Sequence, residues 1–110
     1  MDILEKTLKA LANKNRLRIM KMLEKKNMCV CEITAVLGIK QPSVTAHLLK
    51  LKSAGIIGEK QKGLYTEFFL IKKTPLLKIW RFISQAMNND SQIKKDIFKS
   101  KNTDRNKICK

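Results

Sequence analysis

The sequence predicts a mainly α-helical fold that carries one β-hairpin. Three observations support this prediction: four successive segments repeat apolar residues at helical spacing, two strand-like runs follow around a basic turn, and another apolar helical segment comes next. Since 44% of the 110 residues are hydrophobic, one domain with its own core is expected. No apolar run approaches the roughly 18 residues of a membrane span, and the N-terminus lacks a signal-peptide layout, so a cytoplasmic location is expected.

Apolar spacing defines the first two helices. The first is predicted over about residues 3–12, from Ile3, Leu4, Leu8 and Leu11. The second is predicted from Leu17, Met20 and Leu23. Either Asn13 or Asn15 can serve as its N-cap, because Asn side chains accept hydrogen bonds from the first amides of a helix.

A very short connection separates the third and fourth predicted helices. The third carries Ile33, Val36 and Leu37. Gly38 is placed to end it in a left-handed cap, and Pro42 opens the fourth helix, because Pro suits the first helical position. The fourth helix is predicted to run to about residue 54, with a buried stripe of Val44, Leu48 and Leu51. Two helices joined by such a turn form a helix-turn-helix.

A basic hairpin follows the fourth helix. Residues 56–57 and 64–71 are predicted to be strands around the tight turn Lys60-Gln61-Lys62-Gly63. A helix-turn-helix followed by such a hairpin is a winged helix, here in the order α-α-α-α-β-β-α. A last helix, predicted from Pro75 to about Met87, is apolar over more than one face, which favours a homodimer. The interface is predicted to consist of Ile3, Leu4, Leu8 and Leu11 with Leu76, Ile79, Trp80 and Ile83.

The predicted domain organisation is a folded unit over residues 1–87 and a basic, flexible tail over 88–110. The tail is rich in polar residues that bury little apolar surface. Within it, Ile93, Ile97 and Phe98 could form one weak helical turn that docks on the domain.

The charge of the folded part points to a polyanionic partner. Residues 1–87 carry 17 basic and 6 acidic residues, within a net charge of +15 for the chain. Such a basic domain most often binds nucleic acid, although a soluble lysine-rich surface is the alternative. One histidine, few glycines and no phosphate loop or paired carboxylates argue against an enzyme.

Three stretches resemble the ArsR/SmtB family of transcriptional repressors, dimeric winged-helix sensors of metal ions, metalloids and other signals. They are LKALANKNRLRI at residues 8–19, QPSVTAHLLKL at 41–51 and AGII at 54–57, and the resemblance covers about residues 3–87. It implies that the fourth helix enters the DNA major groove and that the hairpin lies along the backbone or minor groove. It also implies that the first and last helices pair two subunits.

With this resemblance, polar residues of the fourth helix and the hairpin are the predicted DNA contacts. They are Gln41, Ser43, Thr45, His47, Lys50, Lys60 and Lys62. Hydroxyl and amide groups can read base edges, and lysines suit phosphates. Lys40 and Ala46 depart from the family pattern of a Ser or Asn cap and an Arg, which predicts weaker base reading. His47 is expected to pack or to face a phosphate, because no second His could share a metal.

The cysteines predict a sensor of thiophilic ions. The family's arsenic and cadmium/lead sensors carry Cys-Val-Cys and then an acid, as this chain does from Cys29 to Glu32. On a regular helix, residues i and i+2 point about 200° apart. A helix that begins at Cys31, with Cys29 extended before it, would let both sulfurs converge, and the exposed amides would stabilise a thiolate. Thiolates favour trivalent arsenic or soft metal ions, and Cys109 is the candidate third ligand.

The expected function is therefore a sequence-specific repressor that binds an inverted-repeat operator in double-stranded DNA. It would leave DNA when trivalent arsenic or a soft metal ion binds Cys29 and Cys31, and no constitutive cofactor is expected. Three alternatives stay open: thiol redox sensing, cysteines with no sensing role, and non-specific nucleic-acid binding. A disulfide within Cys-X-Cys would be strained.

Overall fold

The computed structural model describes residues 2–73, 76–103 and 105. In chain order its elements are α1 (Asp2–Leu11), α2 (Lys14–Lys25), β1 (Met28–Cys29), α3 (Val30–Leu37), α4 (Gln41–Ser53), β2 (Ile57–Lys62), β3 (Tyr65–Leu70), α5 (Leu76–Met87) and α6 (Ser91–Lys101). The predicted winged helix-turn-helix is confirmed. None of the helices in these described ranges is long and apolar enough to cross a membrane.

The helix ends follow the predicted capping chemistry. Asn13 caps α2, and its side chain accepts a hydrogen bond from the backbone amide of Arg16 at 3.1 Å. Gly38 ends α3 with a φ of 69° and donates its amide to the carbonyl of Thr34 at 2.9 Å. This left-handed conformation strains residues that have a Cβ, so a glycine there lets the chain turn sharply into α4.

The core holds α4 in place. The predicted stripe of α4 is buried, with Val44, Leu48 and Leu51 all at 2% exposure or less. These side chains share one cluster with Ile19 of α2 and Ile33 of α3. Burial of a Leu or Val side chain contributes roughly 1.5–3 kcal/mol, so the position of α4 is well determined.

The sheet contains one strand more than the sequence predicts. Its order is β1-β3-β2, and both pairings are antiparallel. The short strand β1 was not predicted, because two residues are too few to show an alternating pattern. The predicted turn over residues 60–63 is also corrected: Lys60 and Lys62 lie within β2, and the turn is made by Gly63, at a φ of 61°, and Leu64.

The helix α6 is longer than the single turn predicted within residues 88–110. Asp90 caps it by accepting from the amides of Gln92 and Ile93 at 2.9 and 3.2 Å. The helix packs against α2 and α3. Its buried Asp96 accepts two hydrogen bonds from Arg18 of α2, at 2.8 and 3.0 Å. This paired carboxylate lets a polar segment dock on the domain, so α6 belongs to the folded unit.

Two residues of the predicted dimer interface lie in the core of a single chain. Leu11 is 4% exposed and Trp80 is 3% exposed. The indole Nε1 of Trp80 donates to Glu24 of α2 at 2.8 Å, which fixes α5 against α2. By contrast Ile3 is 80% exposed, and Phe82, which was not predicted at the interface, is 78% exposed.

Candidate DNA-binding surface and cysteine site

The exposed residues of α4 form the centre of the candidate DNA-binding surface. Gln41, Ser43 and Thr45 are all exposed in the first two turns of this helix. The buried stripe on the other side of α4 anchors them to the core. Side chains on a rigid helix are positioned better than side chains on a loop, which suits the reading of base edges.

His47 packs beside a guanidinium. Its Nδ1 lies 3.2 Å from Nη1 of Arg16. Nη2 of the same guanidinium donates to the carbonyl of Lys9 at 3.2 Å. Burial, followed by the charges of Arg16 and Lys50, lowers the pKa of His47. A neutral ring can accept the Arg16 hydrogen bond, so His47 joins α4 to the α1–α2 corner. The ring is half-buried, whereas the other predicted DNA contacts of α4 are exposed.

The hairpin of β2 and β3, here called the wing, carries its two predicted lysines on one face. Lys60 and Lys62 are two residues apart in β2 and are both exposed. The ammonium of Lys60 lies 5.7 Å from the centroid of the Phe69 ring. Gly58 leaves room for the Phe69 ring opposite it, because a Cβ at residue 58 would lie 2.6 Å from a ring carbon. The Lys60 and Lys62 side chains are therefore both available to a ligand in solution.

Helix α3, which carries the cysteine site, begins one residue earlier than expected. Val30 starts α3, so Cys29 is the N-cap in extended backbone and Cys31 lies inside the first turn. The predicted start at Cys31 is wrong because Cys29 and Glu32, three residues apart, form a reciprocal capping box. In this box the amide of Cys29 donates to Oε1 of Glu32 at 3.1 Å.

Burial governs the chemistry of the two cysteines. Cys29 is 3% exposed, and burial raises the pKa of its thiol. Burial therefore opposes formation of a thiolate at Cys29, the N-cap of α3. Cys31 is half-buried and is disulfide-bonded in the structure. Cys109, the predicted third ligand, lies outside the described residues. Over the described part of the chain, no group of three His, Cys, Asp or Glu is arranged to hold a metal ion.

Two buried carboxylates and a guanidinium adjoin the cysteines. Nη2 of Arg105 lies 2.9 Å from Oε1 of Glu32 and 2.9 Å from Oε2 of Glu67. Burial opposes ionisation of Glu32, but hydrogen bonds from Cys29 and the charges of Arg105 and Lys26 hold its pKa below the ordinary value. Glu67 and Arg105 were not predicted from the sequence, because no local pattern relates them to residue 32. Arg105, which follows α6, is thus tied to the cysteine site.

The comparisons with known proteins agree with this arrangement. A family model described as bacterial regulatory protein, arsR family, matches residues 13–58. An arsenic resistance transcriptional regulator of Pseudomonas putida is 34% identical over 68 residues, which are 61% of this chain and 53% of that protein. An uncharacterized HTH-type transcriptional regulator of Methanocaldococcus jannaschii is 38% identical over 64 residues, or 57% of this chain and 72% of that protein. The chain thus spans about half the length of the Pseudomonas relative.

A solved structure shows the same fold. The homodimeric winged helix-turn-helix DNA-binding domain of Mycobacterium bovis, a possible ArsR-family transcriptional regulator, superposes with a TM-score of 0.70 at 23% identity. The match covers 79% of this chain and 80% of that domain. These relatives are transcriptional regulators rather than enzymes, as the sequence predicts. The chain belongs to the arsR family of bacterial regulatory proteins.

Proposed function

We propose that this protein is a sequence-specific DNA-binding repressor that leaves its operator when trivalent arsenic or another thiophilic ion binds its cysteines. The observation that carries the proposal is the presentation of α4: the helix is anchored by Val44, Leu48 and Leu51 and exposes Gln41, Ser43 and Thr45. The net charge of +15 supplies a long-range attraction to DNA. The arsenic resistance regulator of Pseudomonas putida supports the choice of effector.

A second copy of the chain completes the proposed repressor. On α1, Leu4 is 45% exposed and Leu8 is 49% exposed, in addition to Ile3. On α5, Phe82 is exposed while Ile79 and Ile83 are half-buried. Pairing these helices across a two-fold axis would cover apolar side chains that a monomer leaves in water. It would also present two copies of α4 to an inverted repeat, with half-sites about one helical turn apart.

Two substitutions distinguish base reading from phosphate contact. Lys62→Ala should weaken binding to every duplex alike, because a phosphate contact carries no sequence information. The salt slope, which is the slope of the logarithm of the binding constant against the logarithm of salt concentration, should fall by about one for each phosphate that is no longer neutralised. Thr45→Ala should cost roughly 1–3 kcal/mol at one base-pair position. Titrations of labelled duplexes at several salt concentrations measure both effects. A change of preferred sequence in Lys62→Ala, or binding of all duplexes alike by the native protein, would contradict these assignments.

The position of Arg105 supports Cys109 as a third ligand. The guanidinium of Arg105 contacts Glu32, the residue directly after Cys31. Cys109 follows only four residues later in the sequence. Four residues of extended chain span at most about 14 Å, so Cys109 can lie close to the cysteine pair. Three thiolates suit trivalent arsenic better than two, since soft ligands dominate its coordination.

Ion binding would act on α4 through α3. In the protein whose Cys31 disulfide has been reduced by a thiol, coordination requires the Cys29 and Cys31 thiols to lose their protons and both sulfurs to turn towards one ion, which disturbs the capping box at the start of α3. Ile33 and Val36 of α3 lie in the same core cluster as Val44 and Leu48 of α4. A shift of α3 therefore tilts α4. For a 100-fold loss of operator affinity, the ion must favour the DNA-free state by about 2.7 kcal/mol.

Replacing both cysteines of the motif separates sensing from DNA binding. We expect Cys29→Ser/Cys31→Ser to bind the operator normally and to stay bound when arsenite is added, because serine hydroxyls are not soft ligands. The measurement is fluorescence anisotropy of the reduced protein on labelled operator during an arsenite titration. In Cys109→Ser, loss of the response makes residue 109 a ligand, and an unchanged response indicates a two-thiolate site. Arsenite release of the double variant would contradict sensing at this pair.

The disulfide state of Cys31 supports a second candidate function, thiol redox sensing. Here the oxidised and reduced forms would differ in operator affinity without any metal ion. Hydrogen peroxide would accept the two electrons and two protons lost by a thiol pair. A tenfold or greater difference between the two forms, absent from Cys31→Ser, would support this function. Equal affinities would exclude it.

A further inference from the structure

We propose that α1 also contacts DNA, through a basic pocket between α1 and α4 that holds one phosphate group of the DNA backbone. The DNA contacts predicted from the sequence lie only on α4 and the wing. This inference rests on the proposed function, because it extends the same binding surface. It assigns to Lys6 and Lys9 of α1 a role that neither helical spacing nor the family resemblance indicates.

The pocket is formed by cations from three helices. It has a volume of about 420 Å³, and its charged lining residues are Lys6 and Lys9 of α1, Arg16 of α2 and Lys50 of α4. Among the described residues that line it, none is acidic. Glu5 pairs with Lys9 at 2.8 Å, but both side chains are more than 60% exposed, and such pairs contribute little. The pocket therefore carries an excess of positive charge that suits a phosphate.

Arg16 fixes the shape of this pocket. Its guanidinium donates to the carbonyls of Lys9 and Ala10 at the end of α1 and lies against His47 of α4. These contacts hold α1 to α4 and cap the α1 carbonyls, so Arg16 is a positioning residue. In residues 2–73, 76–103 and 105, neither Lys6 nor Lys50 forms an ion pair or a side-chain hydrogen bond. Both ammonium groups can therefore turn to an incoming phosphate at little cost.

The place of the pocket on α4 favours DNA as the source of the phosphate. Lys50 follows Ser43 by seven residues, which is two helical turns or about 10.5 Å on the same side of the helix. The major groove is about 12 Å wide, so a helix that reads bases at Ser43 brings Lys50 to the bordering backbone. Leu4 and Leu8 line a second pocket of α1 that shares Lys9 but not Lys6 with the first, so Lys6 stays available when α1 pairs with a second subunit.

The first test compares Lys6→Ala with Lys95→Ala, a control that removes an exposed lysine from α6. At about 0.1 M salt, removal of one phosphate contact should weaken binding about eightfold, so a dimer in which both subunits carry the substitution should bind about 60-fold more weakly. The salt slope should fall by about two, with the preferred sequence unchanged. Lys95→Ala should match the native protein. Equal affinities and slopes for the two variants would overturn the inference.

A second experiment locates the phosphate. Neutral methylphosphonate is placed at one backbone position at a time along the operator. At one position in each half-site the replacement should weaken the native protein about eightfold, and replacement in both half-sites together should weaken it as much as Lys6→Ala does. Neither replacement should have a further effect on Lys6→Ala. Additive losses at every position would mean that Lys6 contacts no particular phosphate, and this would overturn the proposal.

Two further outcomes separate this inference from its alternatives. If millimolar inorganic phosphate raises the melting temperature of the DNA-free native protein but not of Lys6→Ala, while Lys6→Ala and Lys95→Ala bind the operator with equal affinity, the occupant is a free anion and the DNA assignment is overturned. If the native protein binds all duplexes equally, the proposed function fails. A Lys6-dependent affinity and salt slope on those duplexes would then still support the phosphate contact.

Discussion

Asp96→Ala is expected to lower the free energy of unfolding by about 3–5 kcal/mol. The Asp96 carboxylate is fully buried and accepts hydrogen bonds from Nε and Nη2 of Arg18 at 2.8 and 3.0 Å. The Arg18 side chain is only 13% exposed and stays charged at any accessible pH. Removal of the carboxylate leaves this largely buried cation without a counter-ion. Urea unfolding followed by circular dichroism measures the change.

Two further variants test whether the buried ion pair causes this loss of stability. Glu5→Ala removes one member of an exposed ion pair and should change stability by no more than about 0.5 kcal/mol. Arg18→Leu/Asp96→Leu should be more stable than Asp96→Ala, since apolar residues can replace a buried pair at low cost. If Asp96→Ala were as stable as Glu5→Ala, then α6 would not be docked on α2 through this ion pair.

Glu24→Ala is expected to destabilise the protein by about 3 kcal/mol, because its carboxylate joins α2 to α5. Its Oε2 accepts from Trp80 at 2.8 Å and from Ser84 at 2.7 Å, and its Oε1 accepts from Lys21 at 3.1 Å. Lys21 is 2% exposed and would lose its counter-ion. Since α5 is a proposed dimer helix, the apparent mass should also fall towards that of a monomer at low concentration. A stable, fully dimeric Glu24→Ala would contradict this role.

The pH dependence of stability provides an independent check on Glu24. Burial opposes its ionisation, but hydrogen bonds from Ser84, Lys21 and Trp80 hold its pKa below the ordinary value of 4.5. The stabilisation is therefore complete above pH 4.5 and is lost as the pH falls through the lower pKa of the folded state. Glu24→Ala should lose stability less steeply over this range. Some slope should remain, because the pKa of Glu32 is lowered too.

The sequence predicts the fold well wherever local chemistry defines it. Gly38 and Pro42 mark the ends of α3 and α4, and the apolar stripe of α4 identifies its buried side. The helix α6 was underestimated because Asp96 and Ser100 occupy its buried face, where polar residues resemble a solvated surface. Their burial depends on pairings such as that with Arg18, 78 residues away, which no local pattern reveals.

The candidate sites were also predicted only in part, because some of their contacts join residues that are distant in the sequence. The Cys-Val-Cys-Glu motif located the cysteine site, but the helix begins earlier than expected because Cys29 and Glu32 form a capping box. Glu67 lies at that site because β3 pairs with β1, and Arg105, which follows α6, contacts Glu67 there. In the same way, only the packing of α1 against α4 brings Lys6 near Lys50. Spacing along the chain carries no information on such contacts.

The affinity of the reduced protein for arsenite, measured both free and bound to operator DNA, tests the central claim most directly. Coupling between two sites is reciprocal, so an ion that weakens operator binding 100-fold must itself bind 100-fold more weakly to the protein–DNA complex. We predict this loss, with no arsenite binding by Cys29→Ser/Cys31→Ser in either state. Equal arsenite affinities for free and operator-bound protein would contradict the proposed coupling between the cysteine site and the DNA-binding surface.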